Sequence, residues 1–447
     1  MPTFTTPPER EGPTMSRHIV RDALLSCFSQ LGFAAQEQPL AVGVEEELQT
    51  VLHEDPTQGE GALAMVRTLA EITDEQDLCY EGDLAVGINR EGVIMTTDAG
   101  RRQIEFIYDP VVHLRDFAGV QATTRRLAVE VLKKEGYSVL GTGYHPWAKS
   151  TWDDWMPKQR YEALVEALNP AVLRSADTAG LQATVDTRSL DHMLKTANVF
   201  NLAAPVIAAL TTNSPLHDGT FEVENKGLRH FTWNKLAPEQ RRGVMHFGSI
   251  EEYLDWVLDL PVLMMLEKSG LATVPNPPIC FWQWALPVLE SGDIEEFKRR
   301  FNVHTACAWP EARIRPFNKV ASVEGRTPCA QPSGAATSVV ALYLGLAENV
   351  DGALEVLSQF TVPDLKAART CCAKRGLQGV IDGCEVSIVA TELLEAAKRG
   401  LEMRDLEEEG ELDLLFIRAS DRRTPADDLI ELASSGGDLM AAITYAV

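Results

Sequence analysis

Eight cysteines are scattered along the 447 residues without a CxxC pair, and the one close pair, Cys371 and Cys372, is adjacent. That removes the usual zinc and dithiol frameworks, and adjacent cysteines meet disulfide geometry only with strain. Free buried thiols in a reducing compartment are expected, hence a cytoplasmic location. Also missing is an apolar run of the roughly 20 residues that a helix needs to cross a bilayer. MPTFTTPPEREGPTMSR at the N-terminus lacks the apolar stretch of a signal peptide. Residues 1–17 read as a flexible leader, with Met15 as an alternative start. Basic charge is scarce: 41 Lys and Arg against 65 Asp and Glu give −24. Such a surface repels phosphate backbones and anionic lipid, so neither nucleic acid nor a membrane is expected as partner. A nucleotide remains open, because metal ions and a local arginine cluster invert the field inside a cleft. With no GxxxxGK[ST] in the chain, it would not sit on a Walker loop.

What is present reads as strands first and helices later. Residues 18–33 have helical spacing, with Ile19, Leu24, Cys27, Phe28 and Leu31 on one side. AVGVEEELQTVL (41–52) reads as a strand, and 84–109 as an antiparallel meander through LAVGINR, VIMTTD and QIEFIYD. A long amphipathic helix covers 112–135 and YSVLGTGYHP reads as the strand after it. ATVDTRS (183–189) is a short strand before a helix over 190–210 that turns apolar all round and is therefore buried. TNSPLHDG supplies turn residues, 250–268 another helix, and ARIRPFNKVASVEGR a hairpin around Pro316–Lys319. From about 334 the pattern is helical. DLEEEGELD reads as a solvated helix end or loop. The whole is an α+β chain with a helical C-terminal unit.

Three acidic strand segments bear on chemistry. In GVEEEL the side chains of Glu45 and Glu47 share one face while Glu46 points away. Two like charges beside apolar Val44 and Leu48 repel unless something positive lies between them, and magnesium is a natural solution. The ordinary reading is a charged, exposed edge strand. Glu105 lies between Ile104 and Phe106, where an uncompensated charge is costly to bury, and Asp98 precedes the Gly turn before it. Glu324 in VASVEGR is followed by Arg326 on the same face. Three strands that each deliver a carboxylate would line a metal-binding cleft.

These segments resemble a known family, the glutamate–cysteine ligases. GVEEEL resembles their opening G-x-E-x-E strand and TTDAGRRQIEF their second metal strand. TAGLQATVDTRSLDHMLKTANVFNLAAPVIAALTTNSP is similar to their central strand, long helix and Asn-Ser-Pro turn. GLRHFTWNKLAPEQRRGVMHF, EEYLDWVLDLPVLMM, FNVHTACAWPEARIRP, VASVEGRTPCAQP and DRRTPADDLIEL follow in the family's order across most of 41–435. The nearest branch is the plant-type and actinobacterial one.

The resemblance implies a glutamine-synthetase-like fold: a curved, mainly antiparallel sheet forming a funnel with flanking helices. It implies a catalytic core over 18–333 with a helical unit, 334–447, packed on it. Glu45, Glu47, Asp98, Glu105, Gln182 and Glu324 would hold Mg2+ against the phosphates of ATP. Arg229, Arg313 and Arg326 would grip phosphate or the glutamate carboxylate, with Arg326 and Lys158 on the nucleotide. The ordinary reading of Arg229 and Arg313 is surface salt bridging, and that of Lys158 an exposed loop charge. Trp233 could pack on substrate or in the core; His304 and Cys329 read as structural. The implied reaction activates glutamate's γ-carboxylate as an acyl phosphate and joins it to the amine of cysteine. A different amine or a different ATP-dependent phosphotransfer is the alternative. The implied partners are these small molecules, in a monomer or homodimer. Two departures bear on the acceptor: QTVLHED follows GVEEEL where plant enzymes have Lys-Phe-Gly-Phe character, and Gly325 stands between Glu324 and Arg326.

Overall fold

A computed structural model describes residues 11–168, 170–222, 224–236 and 241–445. Nine strands form the main sheet. The first six are β1 (Val42–Leu52), β2 (Leu78–Glu81), β3 (Leu84–Arg90), β4 (Val93–Thr97), β5 (Gln103–Val111) and β6 (Tyr137–Leu140). They are followed by β7 (Leu181–Asp186), β8 (Ala312–Arg315) and β9 (Ser322–Gly325). The order is β8-β9-β7-β1-β5-β4-β3-β2, and β6 also pairs with β1. Neighbouring strands are antiparallel throughout. β1 is the spine: β5 runs along one edge, while β7 takes its first half on the other edge and β6 its second half.

Strand alternation divides the two faces. Val42, Val44 and Leu48 of β1 join Ile104, Phe106 and Tyr108 of β5, Leu181 and Val185 of β7, and Val323 of β9 in one buried apolar cluster. Helices Leu114–Lys134, Leu190–Leu202 and Ala336–Glu348 cover this face. Ala336–Glu348 is buried on every side, as a helix apolar all round must be. Helix Val386–Glu402 crosses it through two glycines. A Cβ on Gly345 would lie 2.3 Å from the Ala397 carbonyl oxygen, and one on Gly400 1.9 Å from that of Gly345. The helices beyond 334 therefore share the core of the sheet.

The expected strands and helices are present, with differences at their ends. The first helix spans Glu11–Phe28, so residues 11–17 belong to it rather than to a leader; Arg17 pairs with Asp255 and Asp259. Residues 1–10 of the leader lie outside the described residues. That helix buries Val20, Leu24 and Phe28, while Ile19 is exposed. The helix expected over 190–210 is two, Leu190–Leu202 and Ala204–Thr211, bent by 53°. Pro205 has no N–H to continue the first helix. Among the described residues no single helix is long and apolar enough to cross a membrane. The helix expected over 250–268 ends at Asp259, because Leu260 precedes Pro261 and is extended. Within the acidic run, Glu408 accepts a hydrogen bond from the backbone N–H of Leu114 at 2.7 Å, where the helix dipole favours negative charge.

Candidate active site

The second face of the same strands is polar. Register places Glu47 opposite Glu105, Glu45 opposite Gln182, and Glu324 between Thr184 and Arg313. Glu45, Glu47, Asp98, Glu105 and Gln182 line a single cavity together with Arg313 and Arg326. The far side of the cavity is largely apolar, with Trp155, Tyr161, Trp233, Met264 and Trp309. Glu46 points into the core, as alternation requires. There Arg125 pairs with it, and Gln121 (3.1 Å) and the Tyr108 hydroxyl (3.2 Å) donate to it.

The carboxylates of this face divide by environment, and Glu324, fully buried, lies beneath the cavity lining and not in it. Glu47 accepts from the Gly180 N–H at 2.7 Å and from Gln182 Nε2 at 2.8 Å. Burial, and then the charge of Asp98, still push it up to about 7. Burial also raises Glu105 well above the usual range, helped by Asp98, Glu45 and Glu47. These two feel an excess of negative charge. Burial would raise Glu324 as well, but Arg313, Arg326 and Arg315 hold it at about 2. Arg313 grips it through two nitrogens (2.9 and 2.6 Å), and Arg326 pairs with it directly. Among the described residues, no three His, Cys, Asp or Glu side chains converge closely enough to hold a metal ion by themselves.

The expected site residues are not all in the cavity. Arg229 lies behind it: its guanidinium donates to the carbonyl oxygens of Thr327 (3.0 Å) and Arg326, and a Cβ on Gly180 would meet it at 2.3 Å. It braces the backbone that follows β9, and its charge acts on Glu47 from there. Lys158 is buried at the cavity's edge, its Nζ 3.1 Å from the Thr97 carbonyl oxygen and 3.6 Å from Glu81. Its neighbour Arg160 lines the cavity and lies over the Tyr161 ring. The Tyr161 hydroxyl donates to Asp98 at 3.2 Å. Trp233 faces the cavity. His304 is buried in helix Ile294–Ala306, stacked on Phe281, with Nε2 3.1 Å from the Val257 carbonyl oxygen. Cys329 is buried beside Ser214.

Two side chains beside these carboxylates and the cavity escaped the sequence reading. Arg315 shares the face of Arg313, and the two-residue spacing along a strand was a legible signal for it. Trp309 had no signal. It has a φ of 48°, which is rare for a bulky residue, and its carbonyl oxygen accepts from Arg242 at 3.2 Å. Arg242 in turn belongs to a buried cluster with Arg369 around Glu311.

Comparison with known proteins agrees with this geometry. The model of the family described as Glutamate-cysteine ligase family 2 (GCS2) matches residues 41–444. The chain is 24% identical to a chloroplastic glutamate–cysteine ligase of Medicago truncatula, over 80% of this chain and 71% of that one. It is 22% identical to the chloroplastic enzyme of Brassica juncea, over 96% and 84%. The fold is similar to the crystal structure of a Francisella tularensis glutamate–cysteine ligase in complex with AMP, with a TM-score of 0.56 and 12% identity over 92% of this chain and 88% of that one.

Proposed function

We propose, on the premise that this chain belongs to glutamate–cysteine ligase family 2, that it joins the γ-carboxylate of glutamate to the amine of cysteine at the expense of ATP. The observation that carries the reading is the polar face, where Glu45, Glu47 and Glu105 stand together beside Arg313 and Arg326. The names of the plant relatives support cysteine as acceptor, and the AMP-bound neighbour supports a nucleotide.

The donor set fits magnesium. Carboxylate oxygens with a neutral amide oxygen are what a hard dication takes, and a cation would relieve the repulsion that raises Glu47 and Glu105. Glu45, Glu47, Asp98, Glu105 and Gln182 would hold it by drawing closer together than they stand here, and Glu324 would join them by giving up an arginine. Bound there, magnesium would neutralise phosphate charge as the γ-carboxylate attacks.

The remaining steps fall to this chain's own groups. Glu324 fixes the planar guanidiniums of Arg313 and Arg326, which then present forks suited to phosphate or carboxylate. Glutamate's γ-carboxylate oxygen attacks the terminal phosphorus and ADP leaves. The amine then attacks the acyl carbon, phosphate leaves, and the amine's proton passes to solvent or phosphate. The apolar wall of Trp155, Trp233, Met264 and Trp309 keeps water from the acyl phosphate.

Purified protein with ATP, Mg2+, glutamate and a panel of amines tests this by phosphate release and product mass. Cysteine is expected to drive phosphate release and to give the mass of γ-glutamylcysteine. Glu47→Gln is expected to lower turnover by about 100-fold or more with little change in Tm. A phosphorylated product without amine incorporation would overturn the ligase reading. An active Glu47→Gln protein of lowered Tm would make that carboxylate structural.

A further inference from the structure

β8 carries Arg315 two residues beyond Arg313, on the same face of the sheet. Its Nη1 lies 2.9 Å from Glu45 Oε1 and 3.3 Å from Glu324 Oε2, so one guanidinium bridges carboxylates of β1 and β9. The three arginines at Glu324 are unequally held. The side chains of Arg313 and Arg326 are 12% and 14% exposed, and that of Arg315 is 33% exposed.

We propose that Arg315 is a displaceable counter-ion. It holds Glu45 until a divalent cation takes that carboxylate, and it then turns its guanidinium to the phosphate oxygens of the nucleotide. The proposal rests on the reading of the cavity as a metal- and ATP-using site. Three observations support it. Glu45 Oε1 accepts a hydrogen bond from Arg315 at 2.9 Å, and a cation seated on that oxygen competes directly with any other. Glu324 loses little when Arg315 leaves, because Arg313 and Arg326 still engage both of its oxygens. A guanidinium released from Glu45 is a positive charge on a long, half-exposed side chain, and polyphosphate is the strongest partner a ligand of this site would bring to it.

Manganese titration of the ligand-free protein, read by the electron paramagnetic resonance of the free ion, tests the first half. Arg315→Met removes the tethered competitor and is expected to bind Mn2+ about fivefold more tightly than wild type. Arg315→Lys keeps the charge and is expected to stay near wild type. Steady-state turnover tests the second half: Arg315→Met is expected to lose about 100-fold in kcat/KM for ATP even though its metal site is stronger. Tighter Mn2+ binding together with weaker turnover is a pair of changes that mere damage to the fold does not produce. Unchanged or weaker Mn2+ binding in Arg315→Met overturns the counter-ion, and unchanged turnover overturns its transfer to phosphate. If neither protein binds Mn2+, the metal reading itself fails. Should Arg315→Met be recovered unfolded, Arg315→Gln is read by the same outcomes.

Discussion

Gly325 stands between Glu324 and Arg326, and it faces the opposite side of β9 from both. A Cβ there would lie 2.1 Å from Cε1 and 2.5 Å from Cζ of Tyr343. Its cross-strand neighbours are Ala312 and Ala183, so three small residues leave a dent that the Tyr343 ring fills, edge-on to Phe200 at 4.7 Å. The reason for glycine here is space, since Gly325 has no positive φ. The departure from the family pattern thus has a structural partner across the sheet. Gly325→Ala is expected to cost about 1–3 kcal/mol through overpacking, measured by urea unfolding, with a fall in turnover as Arg326 shifts. Wild-type stability in that variant would show that the helix carrying Tyr343 yields.

At the scale of elements, β1 resolves three consecutive acids by sending them to two chemistries. Glu45 and Glu47 enter the cavity, while Glu46 is compensated by Arg125 from helix Leu114–Lys134 and by Tyr108 from β5. Helix Ile294–Ala306 has a different buried group. Burial, and then Arg241, hold His304 down at about 3, against the opposing pull of the Val257 carbonyl. The folded protein therefore keeps it neutral at pH values where the unfolded chain, with an ordinary pKa near 6.5, takes up a proton. Its contribution is fully present above about pH 6.5 and is lost as pH falls toward 3, at about 1.4 kcal/mol per pH unit. Asp177 and Asp186, both raised to about 6 by burial, act in the opposite sense, so the comparison must be with a variant. His304→Gln is expected to close its stability gap to wild type as pH is lowered from 6.5 to 4. Denaturant midpoints across that range measure the gap, and a constant one would exclude the titration.

For the molecule as a whole, the interior is more basic than the chain. Among the described residues, eight arginines and two lysines are buried against seven acids, which leaves the remainder of the chain more acidic than the total of −24. Most of these arginines tie distant segments together. Arg404 pairs with Glu348 at 2.8 Å and with Glu408 at 3.0 Å, and it donates to the carbonyl oxygens of Leu40 and Val112. It thereby fastens the C-terminal helices to the entrance of β1 and to helix Leu114–Lys134. Arg404→Met would leave two buried carboxylates short of a partner, and a loss of about 3–5 kcal/mol is expected in chemical unfolding. A loss below about 1 kcal/mol would mean that Arg188, which also pairs with Glu348, compensates for it.

The period of two along a strand was enough to place Glu45 and Glu47 together and Glu46 apart, and the order of motifs was enough to name the family. Turn residues and helical spacing located most of the sheet and several helices, with Pro205 and Pro261 ending two of them early, but helices Gly61–Ala70, Gln159–Ala167, Phe281–Ser291 and Ile294–Ala306 were not read from spacing. Those properties are local, set by neighbours in the chain. What only the tertiary structure decided is which charge meets which. Arg315 reaches Glu45 across 270 residues of sequence. Arg229 turns to the backbone carbonyls after β9, packed against Gly180. Glu324 is surrounded by arginines while Glu47 and Glu105 repel one another. Each of these depends on distances between strands that register and packing alone establish, because electrostatic energy follows separation in space and takes no account of separation along the chain.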